Sequence, residues 1–273
     1  MLRIEDISKE NLDDVFKVCS WDRLYAPTDD PKLVEAREFK RRWLLDTLEE
    51  HGSCTKIAYL DGKPVAQTLF YPEEIVPYIH NPRRDVIYLQ CVFNPFPEAQ
   101  RKGIGAALIK ALLDEGHSGL DCLGGKPSRF VVTRPFPHEG ELPITDFYEK
   151  YGFKQSHQEM FLEIKEKYVP MKIPELSPLP EDPGRTIILY NVNCEWGYWY
   201  AITARELIQS KHPNHPVEIY DSWKEPDEYK KRGGGWMGIA AAMLVNAKIP
   251  EDPLSLYYDR DAFLRNIEEA MRN

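Results

Sequence analysis

Five prolines between Val169 and Arg185 (Pro170, Pro174, Pro178, Pro180 and Pro183) constrain this chain more than any other feature. Each removes a backbone donor and fixes φ, so neither a long helix nor a central strand can cross the segment, and 169–185 reads as an extended linker. It divides the 273 residues into a first domain at 1–168 and a second at 186–273, the latter near the lower end of ordinary domain size. The net charge is −9 and both parts are acidic, which argues against a general nucleic-acid binder. Nothing approaches about 18 consecutive apolar residues, so no membrane partner is expected, and Met1–Asp6 lacks the pattern of a signal peptide. Cys19, Cys54, Cys91, Cys122 and Cys194 are odd in number and dispersed, with no Cys-x-x-Cys. Neither a disulfide framework nor a zinc site is expected, so no metal is assigned and a reducing cytoplasm is the expected compartment.

The first domain alternates its patterns. Strand signals at Leu2–Ile7, Val86–Phe93, Arg129–Thr133 and His157–Ile164 are interrupted by helical spacing over Leu12–Cys19, Leu33–Leu48, Ile104–Glu115 and Thr145–Tyr151. In the second helix Lys40 falls among apolar positions, its stem expected at the helix edge. Asp61-Gly62 between two apolar runs predicts a tight hairpin. The fold class is therefore α/β, a mixed sheet flanked by helices. After the linker, a buried-strand run at Thr186–Tyr190 leads through a turn at Asn193–Gly197 into a helix. Strands follow at Val217–Tyr220 and from Ala241, with a short helix at Pro226–Arg232 and a last helix capped by Asp261 or Asp259.

The most chemical stretch is Gln100-Arg101-Lys102-Gly103-Ile104-Gly105, set between an apolar strand and an apolar-periodic helix. Two glycines let backbone approach a ligand closely, and the first N–H groups of the helix point at it unpaired. The helix dipole and the Arg101-Lys102 pair add positive charge at the same place, which suits a phosphate.

Gln100-x-x-Gly103-x-Gly105 resembles the first signature of the GNAT acyltransferases, and Phe147-Tyr148-Glu149-Lys150-Tyr151-Gly152-Phe153 resembles their second, in the right order. One departure is that Asn94–Glu98 lengthens the strand-to-turn connection by about two residues. The resemblance, over about residues 1–165, implies acetyl-CoA as co-substrate and acyl transfer to a small-molecule or peptide amine. It implies a pyrophosphate seat over Arg101, Lys102, Gly103, Ile104, Gly105 and Ala106. The pantetheine arm would lie along Gln90, Cys91, Val92 and Phe93, with Phe147 and Lys150 beside the cofactor. A backbone N–H near Val92 or Phe93 would face the developing oxyanion. Tyr148 matches the position that protonates the departing thiolate, a role that a phenol of pKa about 10 suits.

The base is less legible, because the strand Val86–Phe93 contains no Asp, Glu or His. Glu73 and Glu74, with Asp85, are the nearby alternatives, acting through water. Trp21–Asp30 and Tyr71–Asp85 are the segments expected to choose the acceptor, with Trp21, Tyr25, Tyr71 and Tyr78 as an aromatic slot. The second domain resembles a thioredoxin-like or YoaP-like module. Cys194 stands at its helix N-terminus, which favours an exposed thiolate, but Gly197 occupies the place of a resolving cysteine. Gly233–Gly235 reads as a loop. The rival reading is a non-catalytic coenzyme A sensor or scaffold whose second domain binds a partner or does thiol chemistry. The sequence names neither the acceptor nor the oligomeric state.

Overall fold

The computed structural model describes residues 1–21, 25–135, 144–233 and 241–272. The chain forms two compact units. One comprises Met1–Trp21, Arg41–Val76 and Asn81–Lys172; the other comprises Asp22–Lys40, Pro77–His80 and Ile173–Asn273.

The first unit is built on a seven-stranded sheet. Its strands are β1 (Leu2–Asp6), β2 (Thr55–Leu60), β3 (Lys63–Pro72), β4 (Ile87–Phe93), β5 (Phe130–Thr133), β6 (Lys154–Ser156) and β7 (Glu159–Glu163), in the order β1-β2-β3-β4-β5-β7-β6. All neighbours are antiparallel except β4 and β5. The turn between β2 and β3 has positive φ at Asp61 and Gly62, as an Asp-Gly hairpin requires. The expected final strand at His157–Ile164 is β7, and a short strand not expected from the sequence, β6, precedes it in a hairpin. Its chain reverses at His157, at φ +48, a conformation that histidine gives little warning of.

Helices α1 (Asp14–Cys19), α3 (Ile104–Ser118) and α4 (Ile144–Glu149) belong to this unit, while α2 (Pro31–His51) runs from residues of the second unit into residues of the first. Asp30 starts α2 by accepting the Lys32 N–H at 2.8 Å. α3 lies on the sheet through Ile104 and Leu108, against Ala58, Ala66, Ile4 and Val92. The alanines on the strands keep that face shallow, so the helix buries its apolar stripe closely. Beside it Lys56 is buried, with Nζ 2.6 Å from both Asp6 and Glu115, a cation answered by two carboxylates.

The second unit holds a three-stranded sheet in the order β10-β8-β9, from β8 (Thr186–Tyr190), β9 (Val217–Asp221) and β10 (Ala242–Val245). β8 is parallel to β9 and antiparallel to β10. All five residues of β8 are buried, as a central strand demands. The helices are α5 (Glu195–Lys211), α6 (Pro226–Lys231) and α7 (Arg260–Arg272). Asp259 caps α7 by accepting the Ala262 N–H at 2.9 Å, and Phe263, Ile267 and Ala270 form its buried face. Lys40 corrects the expectation of an edge position. Its side chain is 3% exposed, with Nζ 2.8 Å from the fully buried carboxylate of Glu195. Among the described residues no helix is long and apolar enough to cross a membrane.

Candidate active site

The register of β4 against its two neighbours creates the central feature. Against β3, Cys91 pairs with Leu69 and Leu89 with Phe70, so Gln90 is the extra residue of a β-bulge. Against β5, β4 pairs only at Ile87, Tyr88 and Leu89, opposite Val131, Val132 and Thr133. The next rung would set Gln90 against Arg134, and it is the first that does not form. From Cys91 to Phe93, β4 pairs with β3, while among the described residues its pairing with β5 ends at Leu89.

The glycine turn follows the end of β4 and opens α3. Gly103 has φ +74 and nothing within 4 Å of where a Cβ would be, and Arg101 is also left-handed, at φ +58. A turn that alternates such left-handed residues with others can bring backbone N–H groups to one side, as an anion-binding nest does. Ala107 N–H bonds back to Gly103 O at 3.0 Å and closes the first turn of α3; the N–H groups ahead of it have no acceptor within the helix. Arg101, Lys102 and Gly103 are exposed, Gly105 and Ala106 half-buried, and Ile104 is buried in the core. Gly105 serves packing: an added Cβ would lie 3.2 Å from the Phe147 ring and 3.9 Å from Val92. The lengthened connection braces itself, with Gln100 Nε2 donating to Asn94 O and Asn94 Nδ2 to Ala99 O, both at 3.2 Å.

Tyr148, on α4, is 2% exposed. Burial drives its phenol well above the ordinary range, against a smaller opposing pull from the Thr133 hydroxyl, and Cys91 lies near enough to interact. Thr133 is on β5 and Cys91 on β4, so Tyr148 sits where the two strands part. Lys150, two residues on and just past the end of α4, is exposed. The structure thus brings Gln90–Phe93, Gln100–Ala106, Phe147 and Tyr148 into one neighbourhood.

Glu73 and Glu74 stand elsewhere. Glu73 N–H bonds to Val86 O, at the opposite end of β4 from the glycine turn and, at about 3.3 Å per residue, roughly 13 Å before Gln90. Its carboxylate is fully buried, with Oε2 2.8 Å from Arg83 Nε. The same guanidinium reaches Glu159 at 2.6 Å, and the Tyr168 hydroxyl donates to Glu159 at 2.8 Å. Burial raises the Glu73 pKa to about 7; Arg83 pulls it down, but that cation is shared with Glu159, which pushes it back up. Glu74 is exposed, and its Oε2 accepts the Asp85 N–H at 2.9 Å.

The four rings expected to form one slot each have partners of their own. Trp21 lies against Phe96, Tyr71 against Trp43 and Tyr88, Tyr25 against Trp196 and Tyr257, and Tyr78 against Trp223 and Tyr229. Residues 22–24 of the acceptor segment, and Gly234 and Gly235 of the glycine loop, lie outside the described residues. Cys194 precedes α5 as expected but is only 9% exposed, which corrects the expectation of an exposed thiolate; it neighbours Tyr25 and Tyr257. Sequence reasoning missed Arg83, Glu159 and Arg134. The signal was there only in hindsight of register, because these charges gather from three separate segments.

A profile of the acetyltransferase (GNAT) family matches residues 16–153. Among solved structures, a GNAT family acetyltransferase from Brucella melitensis, in complex with acetyl-CoA, is 20% identical over 60% of this chain and 88% of its own, with a TM-score of 0.38. The ribosomal-protein-S18-alanine N-acetyltransferase of Escherichia coli is 16% identical over 63% and 99%, with a TM-score of 0.40. The PaiA N-acetyltransferase of Thermoplasma acidophilum, in complex with coenzyme A, is 18% identical over 62% and 99%, with a TM-score of 0.38. A search of curated proteins found no match.

Proposed function

The chain belongs to the acetyltransferase (GNAT) family, and on that premise we propose that this acyltransferase uses acetyl-CoA to acylate an amine by direct attack in a ternary complex. The observation that carries the reading is the conjunction at one end of β4: a ladder that stops at Leu89, a left-handed glycine before α3, and a buried phenol in the split. These residues fit the co-substrate. The exposed turn Arg101–Gly103 offers backbone donors and two cations to a pyrophosphate, and the stretch Gln90–Phe93, past its last described rung with β5, offers ladder bonds to a pantetheine amide. The bound co-substrate supplies the activated acyl group.

In this reading the chain's own groups act as follows. A β4 backbone N–H near Val92 or Phe93 faces the charge that develops on the thioester oxygen. Tyr148 keeps its proton at every working pH and gives it to the departing sulfur. Glu73 takes the amine's proton through intervening water, since a carboxylate titrating near 7 is poised as a base; Glu74 is spent on the Asp85 N–H. For the second unit, the sequence of strand, cysteine turn, helix, parallel strand and antiparallel strand supports a thioredoxin-like reading. We assign no thiol chemistry to the buried Cys194.

The test is calorimetric titration with acetyl-CoA. The wild-type chain is expected to bind and Gly103→Val to lose at least about tenfold, roughly 1.4 kcal/mol. Gly124→Val is the control for backbone strain, because Gly124 is also left-handed with open space around it and is expected to keep its affinity. A wild-type chain that does not bind acetyl-CoA sinks the reading.

A further inference from the structure

All five cysteines are free and buried, yet two of them, Cys54 and Cys122, meet. Cys54 stands just before β2, where its carbonyl accepts the Phe70 N–H at 2.9 Å and is thereby fastened to β3. Cys122 lies in a single turn of 3-10 helix, Asp121–Leu123, in the loop that follows α3. That loop is held by its own bonds: Leu120 N–H reaches Lys126 O at 3.0 Å, and Gly124 N–H reaches Asp121 O at 2.8 Å. The two segments also grip each other. Ser53 N–H donates to Asp121 Oδ2 at 3.2 Å, and a Cβ on Gly52 would collide with the same carboxylate. The residue before each cysteine thus bonds to the residue before the other, and both segments lie within the first unit.

Cys54 is 1% exposed, and its thiol hydrogen-bonds that of Cys122, which is 7% exposed. A thiol is a weak donor and a weak acceptor, so the contact contributes little as a hydrogen bond. What it sets is distance. Two sulfurs in contact, on segments that backbone hydrogen bonds hold in place, are a short approach from a covalent bond. The hydrogen bond with Cys122, then burial, then the nearby carboxylates of Asp121 and Asp6 push the Cys54 pKa well above the ordinary thiol value, so Cys54 keeps its proton. Cys91 and Cys194 are engaged elsewhere: Gln67 Nε2 donates to Cys91 Sγ at 3.4 Å, and Cys194 belongs to the second unit.

We propose that Cys54 and Cys122 are a modification site that closes to a reversible disulfide when the folded protein meets a small-molecule disulfide of the glutathione class, tying the loop after α3 to the start of β2. The more exposed Cys122 reacts first. Its thiolate attacks one sulfur of the oxidant, a mixed disulfide forms, and half of the oxidant leaves as a thiol. Cys54 then gives its proton to water and attacks Cys122 Sγ, which expels the other half as a second thiol. The two cysteines are oxidised by two electrons and the oxidant is reduced to two thiols. No spacing in the sequence announces the pair, because only the fold brings these two positions together. The inference stands apart from the acyltransferase reading.

The test incubates the reduced, folded, full-length protein with oxidised glutathione, then traps the remaining thiols with an alkylating reagent in denaturant. Mass spectrometry of the unreduced digest maps the links. Free thiols are expected to fall from five to three, with one link joining Cys54 to Cys122, and dithiothreitol should restore all five. The oxidised protein should melt about 4 °C or more above the reduced one, since the tie closes a long loop. Cys54→Ser should leave glutathione on Cys122 as a mixed disulfide, whereas Cys122→Ser should leave Cys54 a free thiol under the same exposure. The mapping in the wild-type chain stands even where a variant does not fold. Five thiols surviving the oxidant, a link among other cysteines, a Cys54–Cys122 link that appears only once denaturant is added, or an oxidised form that melts no higher would each overturn the proposal.

Discussion

Tyr148 and Glu73 show how burial assigns opposite roles to two titrating groups. Burying a phenol disfavours its anion, so Tyr148 carries its proton into the reaction as an acid. Tyr148→Phe is expected to lower kcat by about 10²-fold or more, in the range of general acid catalysis, while acetyl-CoA affinity measured by calorimetry stays nearly constant. Burying a carboxylate likewise favours its neutral form, and Glu73 reaches about 7 from an ordinary 4.5. Its two consequences have opposite signs. As a base, Glu73 works only above about pH 7. For stability, its folded pKa lies above its unfolded one, so the folded chain holds the extra proton between them. That contribution is full below about 4.5 and is lost as pH rises through about 7. A pH series of kcat/KM should therefore rise through an acid limb near 7 that Glu73→Gln abolishes. The melting temperature of that variant should fall less steeply over the same interval. A limb that survives the substitution would move the base elsewhere.

At the scale of elements, what the sequence made legible and what it hid follow from range. The glycine turn is local: Gly103 must be left-handed and Gly105 must clear Phe147, and both demands appear in a six-residue string. The Asp61-Gly62 hairpin and the buried strand at Thr186–Tyr190 are local in the same way. The bulge at Gln90 is not, because nothing in Leu89-Gln90-Cys91 says that two residues will face one on β3. The Arg83 cluster is still further from view. Glu73, Arg83 and Glu159 come from three segments, and the ion pair forms only once β7 lies beside β5. Removing one partner of such a buried group typically costs about 3–5 kcal/mol, since it strands the others without their charge. The cluster thus fixes the start of β4, the end at which it pairs with β5.

For the whole molecule, the proline-rich segment marks a change of unit but not the membership of each. Asp22–Lys40 and Pro77–His80 belong with Ile173–Asn273, although they precede it by a long stretch of chain. Lys40 is buried on the carboxylate of Glu195, Phe39 rests on Tyr198, and Tyr78 on Tyr229. A chain ended after Lys172 would keep these side chains and lose all three partners. Such a truncation is expected to elute as aggregate on size exclusion and to melt without a cooperative transition; a soluble monomer with the full-length melting temperature would show the first unit to be self-sufficient. A lysine at an apolar helical position was the visible trace of this arrangement, but its partner is 155 residues away and no local pattern points to it.

The Lys40–Glu195 pair also sets a schedule. During synthesis, Lys40 leaves the ribosome 155 residues ahead of the carboxylate that will neutralise it. At roughly 5–20 residues per second, that is a wait of about 8 to 30 seconds. Through that interval the first half of α2 has an ammonium group in the middle of its future buried face, which keeps the face hydrated and discourages it from collapsing early onto the wrong surface. The second unit can therefore close only after most of the chain has emerged, with the earliest residues it needs already waiting for the last.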